Sequence, residues 1–159
     1  MTNITPARPA DLPEILRLVR ALSAFHGDTA TVTLEELQSF FFDPGAPATA
    51  LLAHDGHQVV GYAGLLPHIR LHSAERTLDI QHLYVVETHR NRGVGRALID
   101  GARAVAARQG CFRMTIGTDP DNAAAQAAYR AMGWEEITQY HPRFKWLLSE
   151  AEPVAAPPP

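Results

Sequence analysis

Arg90, Arg92 and Arg96 fall close together, interleaved with Gly93 and Gly95. Guanidiniums on a turn that glycine keeps open suit a compact anion, because each presents paired, planar N–H donors that match phosphate oxygens. Gly93 and Gly95 let the backbone approach such a ligand and tolerate dihedrals that a side chain forbids. The turn stands between a β-rich stretch and a helical one. At such a junction the unpaired N–H groups and the positive end of the helix dipole face the same point. A pyrophosphate fits this better than a lone carboxylate does, and a solvated basic face is the competing reading. The Gly-x-Gly-x-x-Gly of a dinucleotide fold and the Gly-Lys-Ser/Thr ending of a P-loop are both missing. The scattered histidines read as surface or hydrogen-bonded groups, so no metal is expected, and Cys111 reads as a small buried hydrophobe.

The elements that must position this turn follow from periodicity. Residues 11–24 place Leu12, Ile15, Leu16, Val19 and Leu22 at helical spacing, with Asp11 as cap and Pro13 in the first turn, after a short strand near residues 2–7. Thr33 and Glu36 form a capping box for a second helix that Asp43-Pro44-Gly45 ends. Strands 49–54 and 58–66 flank Asp55-Gly56, a hairpin dipeptide. A β segment over residues 77–86 precedes the basic turn, and a helix over 94–109 follows it. Gly110 ends that helix, 112–117 forms a strand, and 122–132 forms a helix closed by Gly133. Residues 134–137 and 143–148 are expected to supply two final antiparallel strands. The Ala/Pro-rich residues 150–159 read as a disordered tail, leaving one domain over 1–149.

Composition sets the outer limits. The chain has 159 residues, 46% hydrophobic and 19% charged, which suits one globular domain with a sizeable core. A net charge of −3 gives no general attraction to nucleic acid. No apolar run approaches the ~20 residues of a membrane span, and Met1-Thr2-Asn3-Ile4 lacks the order of a signal peptide. The reading is therefore a cytoplasmic protein with neither a nucleic-acid nor a membrane partner. The lone cysteine agrees with a reducing compartment.

Two blocks carry a resemblance. Leu83-Tyr84-Val85, Arg90-x-x-Gly93-x-Gly95 and Ala97-Leu98-Ile99 resemble the acyl-CoA-binding motif of the GNAT superfamily of N-acetyltransferases. Asn122-x-x-Ala125-x-x-x-Tyr129-x-x-x-Gly133-Trp134 resembles that superfamily's next strand-helix block. The resemblance implies an α+β fold of α/β/α sandwich type. Its sheet would be mixed and mostly antiparallel, with six or seven strands, about four flanking helices, and central strands that splay apart to admit pantetheine. It implies acetyl-CoA as cosubstrate. Leu83, Tyr84 and Val85 would line the pantetheine path, the backbones of Leu83 and Val85 pairing with its amides as an added strand pairs with a sheet edge. Arg90, Asn91, Arg92, Gly93, Val94, Gly95, Arg96 and Ala97 would form the phosphate turn. Asn122 would bond the pantetheine, and Ala125 and Tyr129 would pack near the thioester. A homodimer is common in the family.

The chemistry implied is acetyl transfer to an amine by direct attack. It needs a base for the ammonium, donors for the oxyanion and an acid for the thiolate. Tyr129 matches the position of that acid. Related enzymes commonly carry a carboxylate on the strand of residues 79–85, where Asp79 stands first, His82 second, and a water chain third. Simple alternation puts Asp79, Gln81, Leu83 and Val85 on one face and His82 on the other unless a bulge intervenes. A weaker resemblance points to the diamine- and polyamine-acetyltransferase branch. Where that branch often carries acids this chain has His26, Gln81 and His82, which favours a smaller or less cationic primary amine, such as an amino acid or a peptide terminus. Phe25, His26, Tyr62 and Gln81, with His82, are the candidate acceptor residues. A catalytically silent acyl-CoA sensor is the alternative function.

Overall fold

A computed structural model describes residues 2–138 and 143–145. Met1–Gly117 and Thr118–Pro159 are two compact units, taken in turn.

The first unit runs β1 (Asn3–Pro6), a 3-10 turn (Pro9–Asp11), α1 (Leu12–Phe25), α2 (Leu34–Phe41), β2 (Thr49–Asp55), β3 (Gln58–Arg70), β4 (Glu75–Val85), a 3-10 turn (Glu87–His89), α3 (Val94–Arg108) and β5 (Arg113–Ile116). The strands form one sheet in the order β1-β2-β3-β4-β5, antiparallel except for the parallel pair β4 and β5. The Asp55-Gly56 dipeptide makes the expected hairpin, with Gly56 at a positive φ of 58°. The Thr33 capping box is present, its hydroxyl accepting from the Glu36 N–H at 3.2 Å. Asp11 precedes α1 but does not cap it with its side chain. Its carboxylate accepts the Arg8 N–H at 2.8 Å, because the 3-10 turn has already brought that donor within reach.

Two helical layers bury the two faces of this sheet. On one face Ala50, Leu52 and Tyr62 meet Ile15, Leu18 and Val19 of α1 and Leu37 of α2. Each fully buried aliphatic there contributes roughly 1.5–3 kcal/mol. On the other face α3 lies very close to the strands. A Cβ at Gly101 would stand 2.9 Å from Ile4 Cγ2, and one at Gly61 would stand 3.1 Å from Leu98 Cδ1. Helix, sheet and helix thus stack in the layers expected of an α/β/α sandwich.

In the second unit, α4 (Ala123–Ala131) is capped by Asn122, whose Oδ1 accepts from the Ala125 N–H at 3.0 Å. Gly133, at φ 85°, ends it. The described residues contain five strands, fewer than the six or seven expected. Residues 134–137 form no strand, because the chain folds back on α4 instead. The Trp134 N–H donates to the Tyr129 carbonyl at 3.1 Å, and Arg130 Nη2 pairs with Glu136 at 2.7 Å. Residues 143–145 are likewise outside any strand. The remainder of the expected last strand, 146–148, and the tail 150–159 lie outside the described residues. No helix of the described residues is long and apolar enough to cross a membrane.

Candidate functional site

The basic turn becomes the start of α3. Asn91 and Gly93 take left-handed conformations, φ 59° and 81°, that asparagine and glycine tolerate best. Buried Val94 then anchors the first turn of the helix to the core. The first intrahelical bond runs from the Ala97 N–H to the Gly93 carbonyl, and no side chain caps the N–H groups before it. Arg92 and Arg96 are exposed beside this open end. Arg90 behaves differently. Its Nε donates to the Val85 carbonyl at 3.0 Å, and its guanidinium lies 4.8 Å from the Phe25 ring centre and 5.6 Å from that of Tyr84. The Arg90 side chain therefore braces the end of β4 against α1.

Strand β5 covers only part of β4. The parallel ladder pairs Thr77 with Arg113 and ends where Ile80 meets Ile116. Beyond it no described strand pairs with residues 81–85 on that side. The Val86 N–H donates to the Val60 carbonyl of β3. Alternation then turns the backbone groups of His82 and Tyr84 toward β3 and those of Leu83 and Val85 toward the open edge. This is the splay that the resemblance implied.

A bulge decides which side chains share a face. Gly64 is opposite His82 while Leu65 is opposite Ile80, so Gln81 is an extra residue on β4. Simple alternation is thereby broken. Asp79, opposite Leu66, and His82, opposite Gly64, lie on the same face as Tyr62, the face of α1 and α2. Leu83 and Val85 lie on the α3 face, where Val85 Cγ2 would be 3.9 Å from a Cβ at Gly95.

On the α1 and α2 side a cavity of about 510 Å³ opens between the loop of residues 28–32, α2 and the strands. Tyr62, Gln81 and His82 line it, whereas Phe25 and His26 do not. Phe25 instead stacks edge-on against His26 and under Arg90. The Tyr62 and His82 rings meet edge to face, with centres 6.0 Å apart. The Tyr62 hydroxyl sits over Gly64, where an added Cβ would be 2.5 Å from it. Burial drives the Tyr62 phenol well above its ordinary pKa, so it stays a neutral donor. Burial, and next the nearby His26, push the His82 imidazole below its ordinary value. At neutral pH that ring is uncharged and able to take a proton. Asp79 is absent from the lining, and its Oδ1 accepts from Thr115 Oγ1 at 2.6 Å across the β4–β5 ladder. The walls contributed by Val32, Phe40 and Phe41 carry no local motif. Their one sequence signal is the aromatic run Phe40-Phe41-Phe42 at a helix end, with Phe40 45% exposed.

The remaining expected residues belong to the second unit. Asn122 spends its carbonyl oxygen on capping α4, and Ala125 is the donor it satisfies. Tyr129 packs on Trp134, ring centres 6.2 Å apart, and burial raises its phenol pKa, keeping its proton in place through the neutral range. No group of three or more His, Cys, Asp or Glu residues suited to a metal occurs among the described residues, and His68 and His72, four apart, lie near the exposed tip of the β3–β4 hairpin.

The profile of the Acetyltransferase (GNAT) family matches residues 15–134. N-acetyltransferase 8B of Rattus norvegicus is 32% identical over 123 residues, which are 77% of this chain and 53% of that protein, so the chain spans about half that relative's length. Thialysine N-epsilon-acetyltransferase of Mus musculus is 27% identical over 148 residues, covering 87% of this chain and 86% of that protein. Solved structures share the fold. The crystal structure of a probable acetyltransferase superposes with a TM-score of 0.77 at 22% identity, over 93% of this chain and 99% of that one. An aminoglycoside acetyltransferase from an uncultured soil metagenomic sample gives a TM-score of 0.74 at 19% identity, over 91% and 97%. With three quarters of its length under the family profile, on the fold that the basic turn and the splayed strand require, the chain belongs to the GNAT family of acetyltransferases.

Proposed function

We propose that the protein, as one catalytic domain over residues 1–149, transfers the acetyl group of acetyl-CoA to a primary amine by direct attack. The observation that carries this reading is the open edge of β4. It runs from the uncapped start of α3, where a pyrophosphate would be held, to residues 81 and 82 in the wall of the cavity. Pantetheine amides pair with the Leu83 carbonyl and the Val85 N–H, the Val85 carbonyl being held by Arg90, and the thioester arrives beside His82.

Deprotonating an alkylammonium with a pKa of ~10.4 at neutral pH costs about 5 kcal/mol. His82 is assigned as the base in preference to Asp79, because it is neutral, lines the cavity and lies on the acceptor side of the bulge, whereas the Asp79 carboxylate is occupied by Thr115. The freed amine attacks the thioester carbonyl. The N–H of Leu83, turned into the gap, is a donor for the oxyanion, and collapse of the tetrahedral intermediate expels the CoA thiolate, which takes the proton of Tyr129, while the surplus proton on the acylated nitrogen returns to the Tyr129 phenolate. A phenol kept protonated by burial suits that last role.

The direct test measures thiol release from acetyl-CoA with a panel of amines, alongside the thermal shift produced by acetyl-CoA alone. Turnover with at least one amine is expected. Stabilisation with no turnover would favour a silent sensor, and no stabilisation would remove acyl-CoA altogether.

A further inference from the structure

The cavity on the α1 and α2 face is closed by side chains of one predominant character. Val19, Val32, Phe40, Phe41 and Leu66 supply its walls, and the Tyr62 and His82 rings supply its floor. Among the described lining residues, Asp28, on the exposed loop after α1, is the one carboxylate, and none is a lysine or arginine. Its volume, about 510 Å³, lies within the range of small-molecule sites, which are mostly apolar with a few polar anchors.

We infer that the acceptor is a monoamine with an apolar, aryl-sized body, an inference that rests on the acetyl-transfer reading above. A polyamine or an aminoglycoside brings several ammonium groups, and a lining with one carboxylate leaves all but one of them desolvated without a partner. A free amino acid brings a carboxylate, for which the described lining offers no cation. A monoamine brings one charge, which Asp28 on the rim attracts and which the cavity then removes. Apolar burial disfavours an ammonium for the same reason that it disfavours the protonated form of His82, so entry itself lowers the amine's pKa. The protons balance: one ammonium proton passes to His82 Nδ1 or Nε2, the neutral nitrogen attacks, and its second proton replaces the one that Tyr129 gives to the CoA thiolate. The aromatic walls then reward a flat body.

The test uses the full chain with 2-phenylethylamine, spermidine, L-lysine and kanamycin as probes, each measured for turnover and for a thermal shift in the presence of CoA. The expected result is a kcat/KM for 2-phenylethylamine at least about tenfold above every other probe, a discrimination that a few apolar contacts supply. The cavity-filling variant Ala48→Phe should raise the KM for 2-phenylethylamine at least about tenfold while leaving acetyl-CoA affinity alone. Higher turnover of spermidine, kanamycin or L-lysine would overturn the inference while leaving acetyl transfer standing. Selective stabilisation by 2-phenylethylamine without turnover of any probe would overturn acetyl transfer, and the acceptor role with it, leaving only an apolar monoamine as ligand of the cavity. Neither turnover nor amine-dependent stabilisation would overturn both.

Discussion

His82 is where one residue's surroundings decide its chemistry. The bulge at Gln81 moves it to the cavity face, and burial holds its imidazole neutral. Replacing His82 with Gln keeps a polar side chain and removes the proposed base, so kcat should fall by about 10² to 10⁴ with acetyl-CoA affinity retained. The wild-type acid limb should lie below pH 6.5 and vanish in the variant, a comparison that pH–rate profiles make directly. Stability carries the same sign. A histidine whose pKa is lowered on folding binds more proton when unfolded, so its penalty is absent above 6.5 and grows as pH falls through that value toward the folded pKa. His82→Gln should therefore flatten the acid side of the stability profile, as read by urea midpoints between pH 7 and pH 5. Tyr129→Phe should lower kcat about 10²-fold with acetyl-CoA affinity unchanged, since the ring and its packing on Trp134 remain. Equal turnover in that variant would dismiss Tyr129 as the acid.

Among the elements, α3 is held to the sheet by glycines where side chains would collide. Two terms oppose each other in Gly101→Ala. Helix propensity favours alanine by about 1 kcal/mol. Overpacking against Ile4 Cγ2, a β-branched methyl on a paired strand, costs about 1–3 kcal/mol. The net expectation is destabilisation, measured by chemical denaturation, with the sheet contact outweighing propensity. Most elements were legible in the sequence because their signals are local: the apolar stripe of α1, the Thr33–Glu36 box, Asp55-Gly56, and glycines ending α3 and α4. The bulge was not legible, since alternation assumes an unbroken ladder and Gln81 is extra only relative to the partner strand. Residues 134–137 misled for a related reason. Their β character was real, but Trp134 and Glu136 found nearer partners in Tyr129 and Arg130. The extension of β3 beyond Leu66 to Arg70 was not legible either. Pro67 is tolerated because β2 has ended at its pairing with Leu65, so the missing N–H faces an unpaired edge.

For the whole molecule, the net charge of −3 would oppose the proposed anionic cofactor at long range, while Arg92 and Arg96 at the start of α3 would attract it locally. With a Debye length of about 8 Å at physiological salt, the local pair dominates. The double variant Arg92→Gln, Arg96→Gln should weaken acetyl-CoA binding at least about tenfold and flatten its dependence on salt, which calorimetry at two ionic strengths would read. An equal salt slope in the variant would place the phosphates elsewhere. The stretch of β4 that no described strand pairs bears on how the molecule behaves in a crowd of its own copies. A free strand edge is a template for intermolecular pairing and aggregation. Here the exposed stretch is interrupted by a bulge at one end, and at the other Arg90 already occupies the Val85 carbonyl. The same arginine that braces β4 against α1 thus also shortens the backbone edge that a second copy could pair with.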